Sequence, residues 1–179
     1  MMQFKLVPDP PTDLEFLESV HEAVPLVPGD EDDCCARIMG RTDVFPRDEA
    51  RTWLTFLRAL GLATEGPVGF SRINTTPNPD RLRSKFVERI RGVDVVLEIL
   101  DSAENEGDDD GGLSATAVYE AFRDRGAIPH YERHKYPDRL DDVWGERVRR
   151  ILEWGVLFDL IERTDGGYRL ADDAPEVDA

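Results

Sequence analysis

Lysine is nearly absent from this chain of 179 residues: 3 lysines stand beside 19 arginines, against 22 aspartates and 16 glutamates, for a formal net charge of −16. An excess of carboxylates keeps a surface hydrated in molar salt, where the screening length falls to about 3 Å and self-repulsion is small. The composition therefore points to a salt-rich cytoplasm before it says anything about a partner. Cysteine is scarce too, and Cys34 and Cys35 are adjacent, poor geometry for an ordinary disulfide. They fit a reducing compartment and read as small, half-buried helix residues. No apolar run approaches the roughly 18 residues of a membrane span, and Met1 to Lys5 lacks the pattern of a signal peptide. The expectation is a cytoplasmic protein without membrane contact.

Recognisable reaction chemistry is also missing. The glycine-containing tract Gly107 to Gly112 is dominated by Asp108, Asp109 and Asp110, which repel phosphate, and it lacks the spacing of a calcium loop. His130 and His134 have i,i+4 spacing but no glutamate where the zinc-protease helix needs one, and Pro129 and Pro137 bracket them. Adjacent cysteines are the wrong spacing for a structural zinc site. No serine or cysteine has a recognisable base. These absences predict a protein that is not an enzyme, with no cofactor and no metal.

What is present is helical periodicity punctuated by turns. Thr12 or Asp13 caps a helix carrying Leu14, Leu17, Val20 and Val24, which Pro25 ends. Asp30 to Asp33 opens a short second helix through Ile38 and Met39, ended by Gly40. Phe45-Pro46 opens a third with Ala50, Trp53, Leu54, Leu57 and Leu60 on one face. Leu62 to Glu65, the turn Gly66 to Gly69 and Phe70 to Ile73 then read as a hairpin. A helical stripe runs from Arg81 to Ser102 with Gly92 as a kink or as the join between a linker helix and the first helix of the second unit, followed by an acidic loop over 104–112. Ser114 caps the next helix, residues 127–139 form an insertion, and a helix over Leu140 to Trp154 leads to a second hairpin turning at Asp165-Gly166.

Residues 49–73 and 146–170 repeat one order of events: amphipathic helix, small residue, apolar strand, glycine-rich turn, aromatic, arginine. Both segments resemble the third helix and wing of winged-helix proteins, and the acidic composition makes the resemblance one to tandem winged-helix proteins of haloarchaeal type. The implied fold is mainly α with small β-hairpin wings, an α+β arrangement of two winged-helix units joined by a linker helix. The divisions are 1–78 for the first unit, 79–92 for the linker helix, 93–172 for the second unit with its insertion 127–139, and 173–179 for a disordered tail.

In such proteins the third helix enters the major groove and the wing touches phosphates. The resemblance thus implies a non-enzymatic, transcription-associated protein that binds double-stranded DNA. On a helical projection Arg47, Arg51, Thr55 and Arg58 share a stripe, and Arg72 in the wing adds a phosphate contact. The same arginines also fit a solvated face paired to neighbouring acids. In the second unit Arg149 and Arg150 lie among Asp142, Glu146 and Glu153, which suits a homodimer or protein partner better than DNA. Arg81, Lys85 and Arg89 share a face of the linker helix. In the insertion Arg133 and Lys135 interleave with His130, Tyr131, His134 and Tyr136, a composition suited to backbone contact and equally to neutralising the protein's own acids. The alternative function is a protein–protein interaction scaffold. DNA binding predicts Arg47, Arg51, Arg58 and Arg72 on one continuous face clear of carboxylates; the scaffold requires an exposed apolar patch or extensive symmetric contact, and Trp144, Trp154 or Phe158 at a flat surface would favour it.

Overall fold

Side-chain caps decide where the first helices begin. The Asp13 carboxylate accepts the Phe16 amide and opens α1 (Leu14–Ala23), which stops ahead of Pro25. Asp30 accepts the Asp33 amide at 2.7 Å and opens α2 (Glu31–Arg41), placing Glu31, Asp32 and Asp33 at the positive end of the helix dipole. Gly40 does not end this helix as its sequence suggests. The chain continues through Arg41 and closes where the Thr42 amide and hydroxyl both donate to the Ile38 carbonyl.

α3 (Arg47–Ala59) buries Ala50, Trp53, Leu54, Phe56, Leu57 and Ala59, and leaves through Gly61 at φ +76°, a left-handed position that costs glycine little. The hairpin β1 (Ala63–Gly66) and β2 (Gly69–Arg72) follows, antiparallel with Ala63 opposite Arg72. The segment between α1 and α2 joins the sheet: Gly29 and Phe70 exchange two backbone hydrogen bonds at 2.9 and 2.7 Å, and the Arg72 amide donates to the Pro25 carbonyl. Cys34 and Cys35 are fully buried rather than half-buried beneath this sheet and α3. Burial raises both thiol pKa values, with nearby acids adding to the effect, so neither is a ready nucleophile.

Asn78 caps α4 (Pro79–Arg89) with its side-chain oxygen on the amides of Asp80 and Arg81. Of the two readings of Gly92 the join holds: the apolar stripe from Arg81 to Ser102 is two helices, because Gly92 at φ +93° caps α5 (Val93–Asn105) separately. The segment read as a linker belongs to the first unit: the Phe4 amide donates to the Arg89 carbonyl, and the Arg91 amide returns to the Phe4 carbonyl. The chain divides into Met1–Arg91 and Gly92–Ala179. The computed structural model describes residues 3–107 and 111–172, so the tail 173–179 and the aspartates 108–110 of the acidic loop lie outside the described residues.

The second unit repeats the plan. α5 extends to Asn105, into what reads as loop, and α6 (Ala115–Asp124) begins at Ser114, whose hydroxyl accepts the Ala117 amide. The insertion contains a short helix, α7 (His130–Lys135), ahead of α8 (Leu140–Leu157). β3 (Ile161–Thr164) and β4 (Gly167–Leu170) pair antiparallel, and Leu113 bridges Tyr168 as Gly29 bridges Phe70 in the first unit. The core is aromatic: Phe122 stacks on Trp144 at 5.8 Å, Trp154 stacks on Phe158 at 5.5 Å, and all four are buried. Each such side chain contributes about 1.5–3 kcal/mol by leaving water.

Candidate nucleic-acid interface

The arginines of α3 do not stand clear of acids. Arg47 pairs with Asp32 and lies 3.9 Å from Glu31, both in the first turn of α2, while Arg51 reaches Glu31 at 3.7 Å and Asp48 at 3.7 Å. Both guanidinium chains are 57% exposed, so these pairs sit in water and hold α3 to α2 only weakly. Thr55, one turn beyond Arg51, is half-buried.

Arg58 and Arg72 have a different role from the one their spacing suggests. Arg58 bonds Glu65 at 3.0 Å and lies between the rings of Phe4 and Phe70, 5.7 and 5.8 Å from their centres, which makes it a packing residue of the wing. Arg72 donates to the Glu22 carbonyl at 3.4 Å, and its Nε is the buried side-chain polar atom without a hydrogen-bond partner among the described residues. The four arginines thus do not form a face free of carboxylates, and the requirement set for unit one is not met as drawn.

Beside Arg72 a polar cavity of about 310 Å³ is lined by Glu18, His21, Glu22, Asn74, Thr75 and Thr76. Its imidazole is committed: His21 is buried and its Nε2 lies 3.0 Å from the Ile73 carbonyl, and desolvation holds its pKa below the ordinary value. Among the described residues no group of histidine, cysteine and carboxylate ligands is arranged to hold a metal ion.

In α8, Arg149 takes Glu146 in a two-point pair at 2.7 and 3.0 Å, and Arg150 bonds the same carboxylate at 3.2 Å. Glu153 is largely covered and accepts bonds from Arg163 and Tyr168. Trp144, Trp154 and Phe158 are buried, so none lies at a flat surface. On α4, Lys85 pairs with Glu88 at 3.6 Å, Arg81 is exposed and Arg89 half-buried.

The insertion holds the residue that sequence reasoning missed. Glu132 is 0% exposed; its carboxylate accepts the Trp144 indole N–H at 3.4 Å and an Arg147 N–H at 3.3 Å, while Arg147 lies over the Trp144 ring at 4.8 Å. This clamp fixes α7 to α8 and leaves Arg133, His134 and Lys135 exposed. A lone acid inside a basic segment, with Trp144 and Arg147 one turn apart downstream, was the available signal.

Three helices, a hairpin wing and a bridging strand residue, present twice, define a tandem winged-helix protein. A family model described as the halobacterial double winged helix domain matches residues 2–175, and the chain belongs to that family. No curated protein and no solved structure matches. Membership agrees with the salt-adapted composition. Winged-helix domains are typically non-enzymatic and DNA-binding or regulatory, and no helix among the described residues is long and apolar enough to cross a membrane.

Proposed function

We propose that this is a non-enzymatic, DNA-binding, transcription-associated protein of a high-salt cytoplasm. The observation that carries this reading is membership of a winged-helix family, and in the second unit the burial of Trp144, Trp154 and Phe158 counts against a scaffold, since Tyr131 is the exposed large apolar residue there among those described. In unit one the groove candidates narrow to Arg47, Arg51 and Thr55. Their surface pairs each contribute about 0–1 kcal/mol and less in molar salt, so the arginines can turn to phosphates, although Glu31, Asp32 and Asp48 then oppose them. Counterion release adds little at such salt, and shape and hydrogen bonding must supply the rest.

The second reading, a protein-interaction module, is favoured by one feature of the first unit. Val27 and Val68, each 77% exposed, flank the Gly29–Phe70 bridge, with Leu26 beside them at 52%.

Cross-linked immunoprecipitation of the tagged protein from its salt-rich host, with DNA sequencing and protein identification on the same sample, separates the two. Discrete loci, lost in R47A/R51A, support the DNA reading. A stoichiometric protein partner without enriched loci, lost in V27D/V68D, replaces it with the scaffold.

A further inference from the structure

α7 is unusual in where it puts its one carboxylate. At 100° per residue, His130, Tyr131, Arg133, His134 and Lys135 spread over an arc of about 200°, and Glu132 falls in the remaining arc. That inward residue is the clamp on Trp144 and Arg147, so the helix's negative charge is withdrawn from the surface and cancelled inside. Outside remain two exposed imidazoles meeting edge to face at 5.3 Å, the exposed ring of Tyr131, Arg133 and Lys135, and past the Pro137 turn, Arg139. Among the described residues no ion pair engages Arg133, Lys135 or Arg139. Asp138 is the exposed acid of the segment. In a chain whose acids outnumber its cations by 38 to 22, such a surface is an exception to the composition.

We infer that the outer face of α7, together with Arg139, is the element of the second unit that grips the phosphates of a DNA duplex. The contact is made by the segment just ahead of the third helix rather than by Arg149 and Arg150 of α8, which Glu146 holds. This rests on the DNA-binding reading and assigns its site. Compact cations and imidazole donors suit phosphate oxygens. Unpaired bases would need successive open aromatic faces, whereas Tyr136 is half-buried and has the Lys135 ammonium 5.2 Å from its ring centre. An acidic protein partner would need a cluster of apolar anchors, where this face exposes Tyr131 as its large apolar residue among those described.

The test uses the full chain, a fluorescein-labelled mixed-sequence duplex of about 30 base pairs, and KCl from about 0.5 to about 2 M, with affinity read by anisotropy. R133A/K135A/R139A is compared with wild type and with R123A/R125A/R163A, which removes the same charge from cations already paired to carboxylates. All six positions are at least partly exposed, and unchanged unfolding midpoints establish that each variant is folded. The expected result is a slope of log affinity against log salt shallower by about 2 to 3 for the α7 variant and unchanged for the charge-matched one. Equal losses in both variants, or no change in the α7 variant while wild type binds, overturn the α7 assignment and leave the DNA reading standing. Failure of wild type to bind the duplex overturns both. The same titration is run with one labelled strand of that duplex, and a loss confined to this single-stranded probe overturns the duplex assignment.

Discussion

α3 and α8 occupy the same place in two copies of one fold and dispose of charge in opposite ways. The arginines of α3 reach outward and across to the acids that open α2, so the outer surface of α3 is neutralised by exposed pairs. The cations of α8 are held along the helix by Glu146, or lie inward, as Arg147 does against Glu132. Neutralisation by a buried acid leaves the outer cations of the same helix without an ion pair among the described residues, even though Asp138, Asp141 and Asp142 are exposed nearby; neutralisation by exposed acids does not. The fold alone therefore does not say which copy meets an anion, and the placement of a single glutamate outweighs the arginine count of the third helix.

The largest break in this comparison should come from Glu132. Truncating one partner of a buried pair leaves an uncompensated charge and costs about 3–5 kcal/mol, so E132A should unfold the second unit at much lower denaturant while E132Q, which keeps an acceptor for the Trp144 N–H, loses less. Chemical denaturation in high salt, followed by the fluorescence of Trp144 and Trp154 in the second unit and of Trp53 in the first, reads the two units separately in single-tryptophan backgrounds. A midpoint for E132A within error of wild type would show that the clamp does not hold the unit.

Two glycines within α8 give the next effect. A Cβ on Gly155 would come 2.5 and 3.0 Å from side-chain atoms of Ile161, whereas on Gly145 the nearest atom is in the Tyr119 ring at 4.0 Å. Replacing a helical glycine by alanine gains about 1 kcal/mol, and overpacking costs about 1–3 kcal/mol. G155A should therefore lose roughly 1 kcal/mol net and G145A gain up to about 1 kcal/mol. If both shift unfolding the same way, β3 is not packed on α8 as described.

The outline of this fold was legible because local rules wrote it. Asp13, Asp30 and Ser114 cap where they stand in the sequence, and the glycine-rich turns place both hairpins. The site was less legible because its determinants are tertiary. Helical spacing finds Arg51 with Asp48 but not Arg47 with Asp32, which meet only when α2 packs on α3. It marks Arg58 as a groove residue although the side chain bonds Glu65 of the wing and packs against the rings of Phe4 and Phe70. Composition made the insertion basic, yet in a helix of 6 residues no periodicity says which one turns inward.

Acid should also distinguish the units. His21 is buried in the first, with its folded pKa below 6.5 through desolvation, while His130 and His134 in the second are exposed. The unfolded chain then takes up a proton that the folded unit refuses, so unit one keeps its stability above about pH 6.5 and loses it as pH falls from there toward the folded pKa. H21Q should flatten that dependence, measured by the unfolding midpoint against pH with Trp53 as the probe. A midpoint as steep in the variant as in wild type between pH 6.5 and 5 would assign the dependence to another group.

The smallest effect tests the surface pairs themselves. The two-point bond from Arg149 is the main reason the Glu146 carboxyl is held down to about 2, with Arg150 adding to it. A folded pKa below the ordinary 4.5 means that the pair stabilises above that pH and that its contribution fades as pH falls from 4.5 toward 2. The carboxylate is nearly half exposed, so the contribution is a few tenths of a kcal/mol at most, and molar salt reduces it further. Carbon-detected titration of Glu146 should show a midpoint well below 4.5 that returns upward in R149A. A wild-type midpoint already at the ordinary value would mean that Arg149 and Arg150 are not engaged by Glu146 in solution. The contrast between the two third helices would then rest on Glu132 alone.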